Sequence, residues 1–418
     1  MSAIDDILPV NSGFLRGYVQ YASACSDAPP HYHLGVGLTI LSATVGKRLG
    51  CPWMAGRKLL PNLYTVLVGP SRTTRKTGSM DAGIDLLQGA DQSLVCPIPG
   101  SYEELIAQIR KKPEGLLTYR EFGHFLKTTQ KGYGEAIRTV LMDLFDWPPD
   151  RPYTRNLKKG ATIIEPPICM SLLAGVSTDL LFSYADIEDW TGGFFGRFLI
   201  LYGERSEFRM PSTWEAAHSY LTGILNQFVS WQFGQCGGFA PDAWAGFEEW
   251  ARWRDSESHK APHRVQTFIA GTTTLAAKLA LLLATDVGEP AAGAGWLVSH
   301  YAMWRAIQFV EKLYIPSIYH IGDKLTIGPW EKDRQRVLDT VESQPQGITR
   351  RDLLRRTKLP ADGLDQIVGT LKEEASITQG QDAQRGIVYR RAQLTDAVGG
   401  TVIQLPRRAS DIADAQGS

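Results

Sequence analysis

Short, continuously apolar segments alternate with helical segments in the middle of this chain. Four of them have the length of a β-strand and lie at residues 63–68, 116–119, 168–174 and 198–202. Strands that are apolar on both faces must be covered on both faces, and intervening helices provide that cover when the strands run parallel. The pattern therefore predicts an α/β fold with a parallel sheet between helices.

Outside this predicted core, residues 61–205, the sequence pattern is mainly helical. Residues 1–60 are predicted to form a helical N-terminal lead-in, with Asn11 or Ser12 capping a helix, and residues 206–328 a helical bundle without strands. Residues 329–395 contain three predicted helices followed by a β-hairpin, which is the order of a winged-helix domain. Residues 396–418 are polar, and we expect a flexible tail there.

Composition excludes several functional classes. The 418 residues include 44 Lys and Arg against 44 Asp and Glu, which argues against nucleic-acid binding through bulk charge but allows a local basic groove. The five cysteines never form a CxxC pair, so we expect reduced thiols in a cytoplasmic protein rather than a zinc ribbon or a disulfide framework. His31 and His33 lack further nearby ligands, which favours packing at a helix start over metal binding.

Targeting and membrane signals are also weak. The first ten residues carry two aspartates and no basic region, unlike a signal peptide. The most apolar stretch, residues 275–287, contains Lys278 and Asp286, which predicts a buried helix rather than a membrane span.

The strongest chemical signal is the segment from Gly69 to Thr77, which directly follows the first apolar strand. In a phosphate-binding loop, backbone N–H groups surround the phosphates of ATP, a lysine neutralises their oxygens and a hydroxyl binds Mg²⁺. Lys76 and Thr77 would take the last two roles. The predicted nucleotide-binding residues are Gly69, Ser71, Thr74, Arg75, Lys76 and Thr77, with Thr77 also the metal ligand.

This segment departs from the usual phosphate-loop pattern in two ways. Arg75 stands where a glycine normally precedes the lysine, and the spacing from Gly69 to Lys76 is one residue longer than usual. The competing interpretation is a polar surface loop whose lysine is only solvated.

Glu121 follows the second predicted strand, where a Walker B strand would end. An acidic residue there polarises the attacking water and supports the magnesium shell. Arg120 replaces the aspartate expected just before it. The alternative is an ordinary glutamate at a strand end. If the nucleotide interpretation holds, Mg²⁺ is bound by Thr77 and through water.

Two later positions allow two interpretations each. Ser177 ends the third strand and would sense a γ-phosphate or simply cap the next helix. Arg197 lies between a glycine-rich turn and the fourth strand, and would either stabilise transition-state charge in a neighbouring subunit or pair with a carboxylate such as Asp189.

Taken in order, these pieces resemble an uncharacterised RecA-like P-loop ATPase family found in phage and plasmid primase-helicase proteins. The resemblance covers about residues 14–315 and rests on these stretches: Phe14-Leu15 with Tyr18, Asp27–Pro30, Pro61–Tyr64, Gly69–Ser71, Lys76-Thr77, Glu121–Gly123, Leu172–Gly175, Gly193-Phe194 and Arg197-Phe198. It implies a RecA-like P-loop NTPase core with flanking helical segments, a homo-oligomer such as a hexameric ring, and DNA replication in a mobile element. Arg75 and Arg120 depart from the family pattern.

The C-terminal section offers a weak nucleic-acid surface. Between residues 331 and 391 there are twelve Lys and Arg against ten Asp and Glu. The basic residues expected to contact phosphate are Arg350, Arg351, Arg355, Arg356 and Arg390, with Lys358, Arg385 and Arg391 beside them. The third helix is acidic, which is unsuited to the major groove, so docking of a protein, or a merely solvated face, is the alternative.

The sequence thus supports two functional hypotheses. The first is an ATP-hydrolysing motor that translocates on or unwinds DNA, single- or double-stranded, with Glu121 and Arg197 as its catalytic residues. The second is a degenerate P-loop scaffold that binds nucleotide and recruits DNA or a partner with little hydrolysis, as Arg75 and Arg120 suggest.

Overall fold

A computed structural model describes residues 3–8, 13–130, 134–157, 160–185, 189–190, 193–204, 208–212, 215–232, 236–289, 295–324, 328–374, 376–382 and 386–392. The chain forms two compact units, Met1–Thr326 and Ile327–Ser418. The predicted caps Asn11 and Ser12, Arg385 and the predicted tail, residues 396–418, lie outside the described residues.

The first unit is built around a parallel sheet. Its strands are β1 (Cys51–Pro52), β2 (Lys58–Leu59), β3 (Tyr64–Gly69), β4 (Val95–Cys96), β5 (Glu114–Tyr119), β6 (Tyr153–Leu157), β7 (Gly160–Ile164), β8 (Cys169–Ser177), β9 (Phe198–Tyr202), β10 (Cys236–Phe239) and β11 (Trp296–Val298). Five of them form one all-parallel sheet in the order β4-β5-β8-β3-β9. The predicted α/β fold with a parallel sheet is confirmed.

Helices surround this sheet. They are α1 (Ala3–Ile7), α2 (Phe14–Cys25), α3 (Pro30–Val45), α4 (Lys76–Asp91), α5 (Tyr102–Lys111), α6 (Phe122–Thr128), α7 (Glu135–Asp146), α8 (Thr178–Tyr184), α9 (Glu215–Ser230), α10 (Pro241–Lys260), α11 (His263–Ala270), α12 (Thr272–Asp286), α13 (His300–Phe309) and α14 (Ile315–Lys324). Among the described residues no helix combines the length and the apolar character that crossing a bilayer requires.

Helix α3 is buried nearly all round and packs on the sheet. Two hydroxyl pairs fix it there, because Thr39 Oγ1 lies 2.6 Å from Thr65 Oγ1 of β3 and Ser42 Oγ lies 2.7 Å from Ser171 Oγ of β8. Buried hydroxyls need such partners, so the pairs specify how the helix sits on the strands. Helix α3 is therefore part of the sheet's covering layer.

The prediction that residues 206–328 contain no strand is wrong. β10 pairs in parallel with β11, which lies far along the chain. β10 reads Cys-Gly-Gly-Phe, and glycines have low strand propensity, so only the distant partner makes this segment a strand. Helix α12, in contrast, is buried along almost its whole length, as its apolar sequence predicts.

A buried ion pair connects four helices of the first unit. Asp286 at the end of α12 and Arg305 of α13 are both fully buried, with Nη2 and Oδ2 3.6 Å apart. Asp286 Oδ1 also accepts a 2.7 Å hydrogen bond from the Leu15 backbone N–H of α2, and Arg305 Nε donates to the Ile7 carbonyl of α1. Burial raises the pKa of Asp286 to about 6, so the carboxylate is charged above that pH.

The second unit contains helices α15 (Gly328–Glu342), α16 (Arg350–Thr357) and α17 (Ala361–Glu373) and strands β12 (Ile348–Thr349), β13 (Ile377–Asp382) and β14 (Gly386–Arg391). The strands form an antiparallel sheet in the order β12-β14-β13. Its core takes apolar side chains from all three helices, including Val337, Leu353 and Leu364. The three predicted helices and the hairpin are present, while β12 was not predicted.

Candidate functional site

The strand order identifies one edge of the sheet as the place for a ligand. After β3 the chain moves to the far edge of the sheet and forms β4, β5 and β8 in adjacent positions. It then passes β3 and forms β9 on its other side. In open parallel sheets, ligands bind outside the carboxyl ends of the strands where the strand order reverses. Here that edge holds the ends of β3, β5 and β8.

Residues 70–75 connect β3 to α4 at this edge. Arg75, immediately before the helix, has φ +48° and ψ +33°, the left-handed conformation that glycine adopts most easily. An arginine in this conformation costs about 1 kcal/mol. Its Nε lies 3.1 Å from Asp27 Oδ1, which fixes the side chain on the neighbouring α2–α3 loop. The absence of a glycine therefore raises the conformational energy of the turn, but Arg75 still adopts the conformation that the turn requires.

Gly69 has no room for a side chain. A Cβ atom there would lie 2.4 Å from the Gly203 carbonyl oxygen and 2.7 Å from the Tyr32 hydroxyl. The hydroxyl of Tyr32 also donates to the Val68 carbonyl. The end of β3 is thus held closely by α3 and by the residue that follows β9.

The amine of Lys76 lies within the loop. Nζ donates to the carbonyl oxygens of Gly69 at 2.8 Å and Pro70 at 3.0 Å and to the Thr74 hydroxyl at 3.1 Å. The buried Thr74 hydroxyl in turn donates to the Pro70 carbonyl at 3.0 Å. Burial lowers the pKa of Lys76 to about 8, and the nearby charge of Glu121 acts in the opposite direction. With a pKa of about 8 the amine still carries a positive charge at pH 7, and that charge lies among the oxygen atoms of the loop.

The N-terminus of α4 faces the same space. The helix has sixteen residues and no side-chain cap at its N-terminus. The first backbone N–H groups of a helix have no intrahelical acceptor, and the helix dipole adds positive potential there. Thr77 lies exposed in the first turn and Ser71 lies exposed in the loop. The loop and the helix together suit an anion with several oxygen atoms.

The end of β5 comes close to this loop. Gly175 of β8 lies between them, since a Cβ built there would be 3.6 Å from Lys76 Cβ and 3.5 Å from the Arg120 carbonyl oxygen, both ordinary van der Waals distances. Glu121 is exposed at the start of α6. Arg120 points to α4, where its Nη2 lies 2.6 Å from Asp81 Oδ1. Of this pair of neighbours, Glu121 is the one whose charge acts on Lys76.

Ser177 ends β8 beside Gly69 in the sheet register, whereas Arg197 lies apart from this group. Ser177 Oγ accepts a 3.3 Å hydrogen bond from the Leu180 backbone N–H, so it caps α8. Arg197 precedes β9, at the amino end of the sheet and opposite the loop. Its Nε lies 2.7 Å from Asp146 Oδ2, whereas the suggested partner, Asp189, pairs with Arg138. Arg197 therefore has a partner within its own chain at the far edge.

The start of α3 supports the loop from behind. His33 Nδ1 lies 2.9 Å from Ser79 Oγ of α4, and His31 Nε2 lies 2.8 Å from the Tyr202 carbonyl of β9. Burial lowers the pKa of both imidazoles, that of His33 to about 4, so they are neutral at pH 7. Asp27 and Tyr32 were not predicted to belong to the site, because their role arises from contacts between distant segments.

Magnesium would have few protein ligands here. In the part of the chain that the structure describes, no group of three or more His, Cys, Asp or Glu side chains is placed to hold a metal ion. The exposed hydroxyl of Thr77 and the exposed carboxylate of Glu121 are two of the side-chain oxygen donors at this edge of the sheet. These residues fit an ion that is held mainly by phosphate oxygens and water, as Mg²⁺ commonly is.

The arginines of the second unit are partly neutralised. Arg350 binds Asp365 with two contacts, of 2.7 and 2.6 Å, and Arg355 lies 3.2 Å from Asp352. Arg390 donates to the Gln346 carbonyl at 3.4 Å. Arg351 and Arg356 are exposed on α16. These last two are the arginines most available to an external phosphate.

Comparison of the sequence with protein-family models and with curated proteins finds no match.

Proposed function

We propose that this chain binds ATP at residues 69–77 and is a RecA-like P-loop NTPase. The observation that carries the proposal is the position of the Lys76 amine, inside a strand-to-helix loop at the point where the strand order reverses. Of the two sequence-based interpretations, this geometry favours a phosphate site over a solvated surface loop. A solvated lysine would extend away from the backbone carbonyls instead of bonding to them.

Each part of the loop has a role in this proposal. The backbone N–H groups of the loop and of the first turn of α4 surround the phosphates, and Lys76 exchanges its bonds to Gly69 and Pro70 for bonds to phosphate oxygens. Thr77 presents its hydroxyl to the metal. Mg²⁺, when bound, supplies charge neutralisation of the β- and γ-phosphate oxygens.

Glu121 is the proposed residue for hydrolysis, since it is exposed at the end of β5 and its charge acts on Lys76. Its carboxylate would orient the attacking water and accept its proton. Glu121→Gln should lower steady-state ATP turnover at least 100-fold and change ATP affinity less than about threefold. Glu103→Gln, an exposed acid on α5, is the control. Unchanged turnover by Glu121→Gln would remove Glu121 from the mechanism.

The second candidate function is a nucleotide-binding scaffold with little hydrolysis. The specific observation in its favour is Arg120, which occupies the position of an acid and is committed to Asp81. Wild-type protein that binds ATP through Lys76 without turning it over, with or without single-stranded DNA, would select the scaffold over the motor.

For the second unit we propose a winged-helix domain that contacts DNA. Its helix order and its three-stranded sheet support the fold, and exposed Arg351 and Arg356 on α16 support the contact. The double variant Arg351→Glu/Arg356→Glu should weaken DNA binding and reduce the salt slope of the affinity by about 2. Lys372→Glu on α17 serves as the control. Fluorescence anisotropy at several salt concentrations, with labelled single- and double-stranded DNA, measures both quantities.

We further propose a homo-oligomer, with a hexameric ring as one form, that acts as a helicase or translocase in the DNA replication of a mobile element. This setting rests on the resemblance of the sequence to a RecA-like family. For Arg197 to act in the site of a neighbouring subunit, its ion pair with Asp146 would have to break. The paired conformation would then be the one present before Arg197 enters that site.

A further inference from the structure

A cleft of about 310 Å³ opens at the amino end of the sheet, opposite the phosphate loop. Its walls include Trp53 and Trp147, and Asn62 and Lys278 line its base. Asn62 comes just before β3, whereas Gly69 ends that strand, so the two sites are at opposite ends of the same strand. A volume near 300 Å³ is at the lower limit of small-molecule sites in proteins.

The two tryptophans are held rigidly. Trp53 packs edge-to-face against Phe239 and Trp244, with ring centroids 5.7 and 5.9 Å apart. Trp147 Nε1 donates to the Arg151 carbonyl at 2.9 Å, and its ring packs edge-to-face on Tyr153. Because these contacts fix the rings, a flat ligand that stacks on them would not have to order them first.

Lys278 brings a charge to the base of the cleft, with only 3% of its surface exposed. Nζ donates to Asn62 Oδ1 at 2.5 Å and to the Asn62 carbonyl at 3.1 Å, and it lies 4.0 Å from the centroid of the Phe145 ring. These direct partners are neutral, and among the described residues no ion pair includes Lys278, although the charge of Asp146 acts on it from nearby. A buried cation whose direct contacts are all neutral is costly, and an anion in the cleft would offset that cost.

The rest of the cleft is also positive. Arg57 and Lys58 are exposed at its rim. The acid that lines it, Asp146, is already paired with Arg197 at 2.7 Å. The side chains therefore combine rigid aromatic rings with cations, which is the combination that recognises nucleotides by stacking and by phosphate contact.

We propose that this cleft binds a nucleotide, with the base against the tryptophans and the phosphate near Lys278 and Lys58. The nucleotide is either a free mononucleotide or one unit of a single strand, since the two share this chemistry. The proposal is independent of ATP binding at the loop, because it concerns other residues at the other end of the sheet.

The test uses full-length protein carrying Lys76→Ala, which removes the proposed loop site. Calorimetric titration with 5′-dTMP should show saturable binding, and thymidine, which lacks the phosphate, should bind at least tenfold more weakly. Trp147→Leu and Lys58→Gln, each added to this background, should each weaken dTMP binding about tenfold or more. Trp231→Leu, a change outside the cleft, should leave it unchanged, and thermal melts check that each variant folds.

A fluorescein-labelled (dT)10 oligonucleotide distinguishes a site for single-stranded DNA from a site for a free mononucleotide. Binding of both probes, with the same dependence on Trp147 and Lys58, indicates a single strand, and binding of dTMP alone indicates a free nucleotide. Equal affinity for thymidine and dTMP, no binding of either probe, or binding that ignores both cleft substitutions would overturn the proposal. Because Lys76 is absent from this protein, none of these outcomes depends on whether the loop binds ATP.

Discussion

Replacing Lys76 by alanine should lower the affinity for MgATP at least 100-fold and, if the wild type hydrolyses ATP, abolish turnover. Lys76 is the cation within the loop, and its amine makes three contacts there. A hydrogen bond between charged partners contributes about 1.5–3 kcal/mol, and each 1.4 kcal/mol changes an affinity tenfold. Loss of two such bonds is therefore sufficient for the expected effect. Isothermal titration of both proteins measures it.

The matched control for this variant is Lys111→Ala. Lys111 is exposed on α5, and its replacement by alanine removes the same charge from the same unit. It should bind ATP as tightly as the wild type. If Lys76→Ala retained wild-type affinity, the anion site would lie elsewhere, and the roles given to Thr77 and Glu121 would fall with it.

Asp286→Ala should destabilise the first unit by about 3–5 kcal/mol, because it removes the ion-pair partner of the buried Arg305. The Leu15 N–H would also lose its acceptor, which loosens the contact of α2 with α12. Urea unfolding at pH 8, where the carboxylate is charged, measures the change in the free energy of unfolding.

Two further variants test whether the unpaired charge of Arg305 causes the loss of stability in Asp286→Ala. Asp286→Leu combined with Arg305→Met removes both charges, and it should recover a large part of the stability lost in Asp286→Ala. Asp150→Ala, at an exposed acid, should change the free energy of unfolding by no more than about 0.5 kcal/mol. A loss below 1 kcal/mol for Asp286→Ala would show that the pair does not hold these helices together.

Local pattern was enough to predict most of the core. The apolar segments at 63–68, 116–119, 168–174 and 198–202 all lie in strands of the parallel sheet, because short apolar runs fit strands that are covered on both faces. The short edge strand β4 escaped prediction, since two half-buried residues carry no readable pattern. β10 and β11 escaped for a different reason, as each depends on pairing with the other.

The candidate site was predicted in part. The strand, loop and helix order around Lys76 follows from sequence, and so does the position of Glu121 at the end of β5. The conformation of Arg75 and the pairing of Arg120 with Asp81 do not, since both depend on partners outside the local segment. The support given by Asp27 and Tyr32 is likewise a tertiary contact, which a single sequence does not reveal.

Hydrogen exchange of the wild-type protein, with and without a non-hydrolysable ATP analogue and Mg²⁺, tests the central claim most directly. The account predicts slower exchange at the backbone amides of residues 71–78, which would donate to phosphate oxygens, and at Glu121 and Phe122 beside them. Lys76→Ala should show no such change under the same conditions. Exchange that is unaffected at saturating nucleotide, or slowed only outside this edge of the sheet, would contradict the claim that the loop binds ATP.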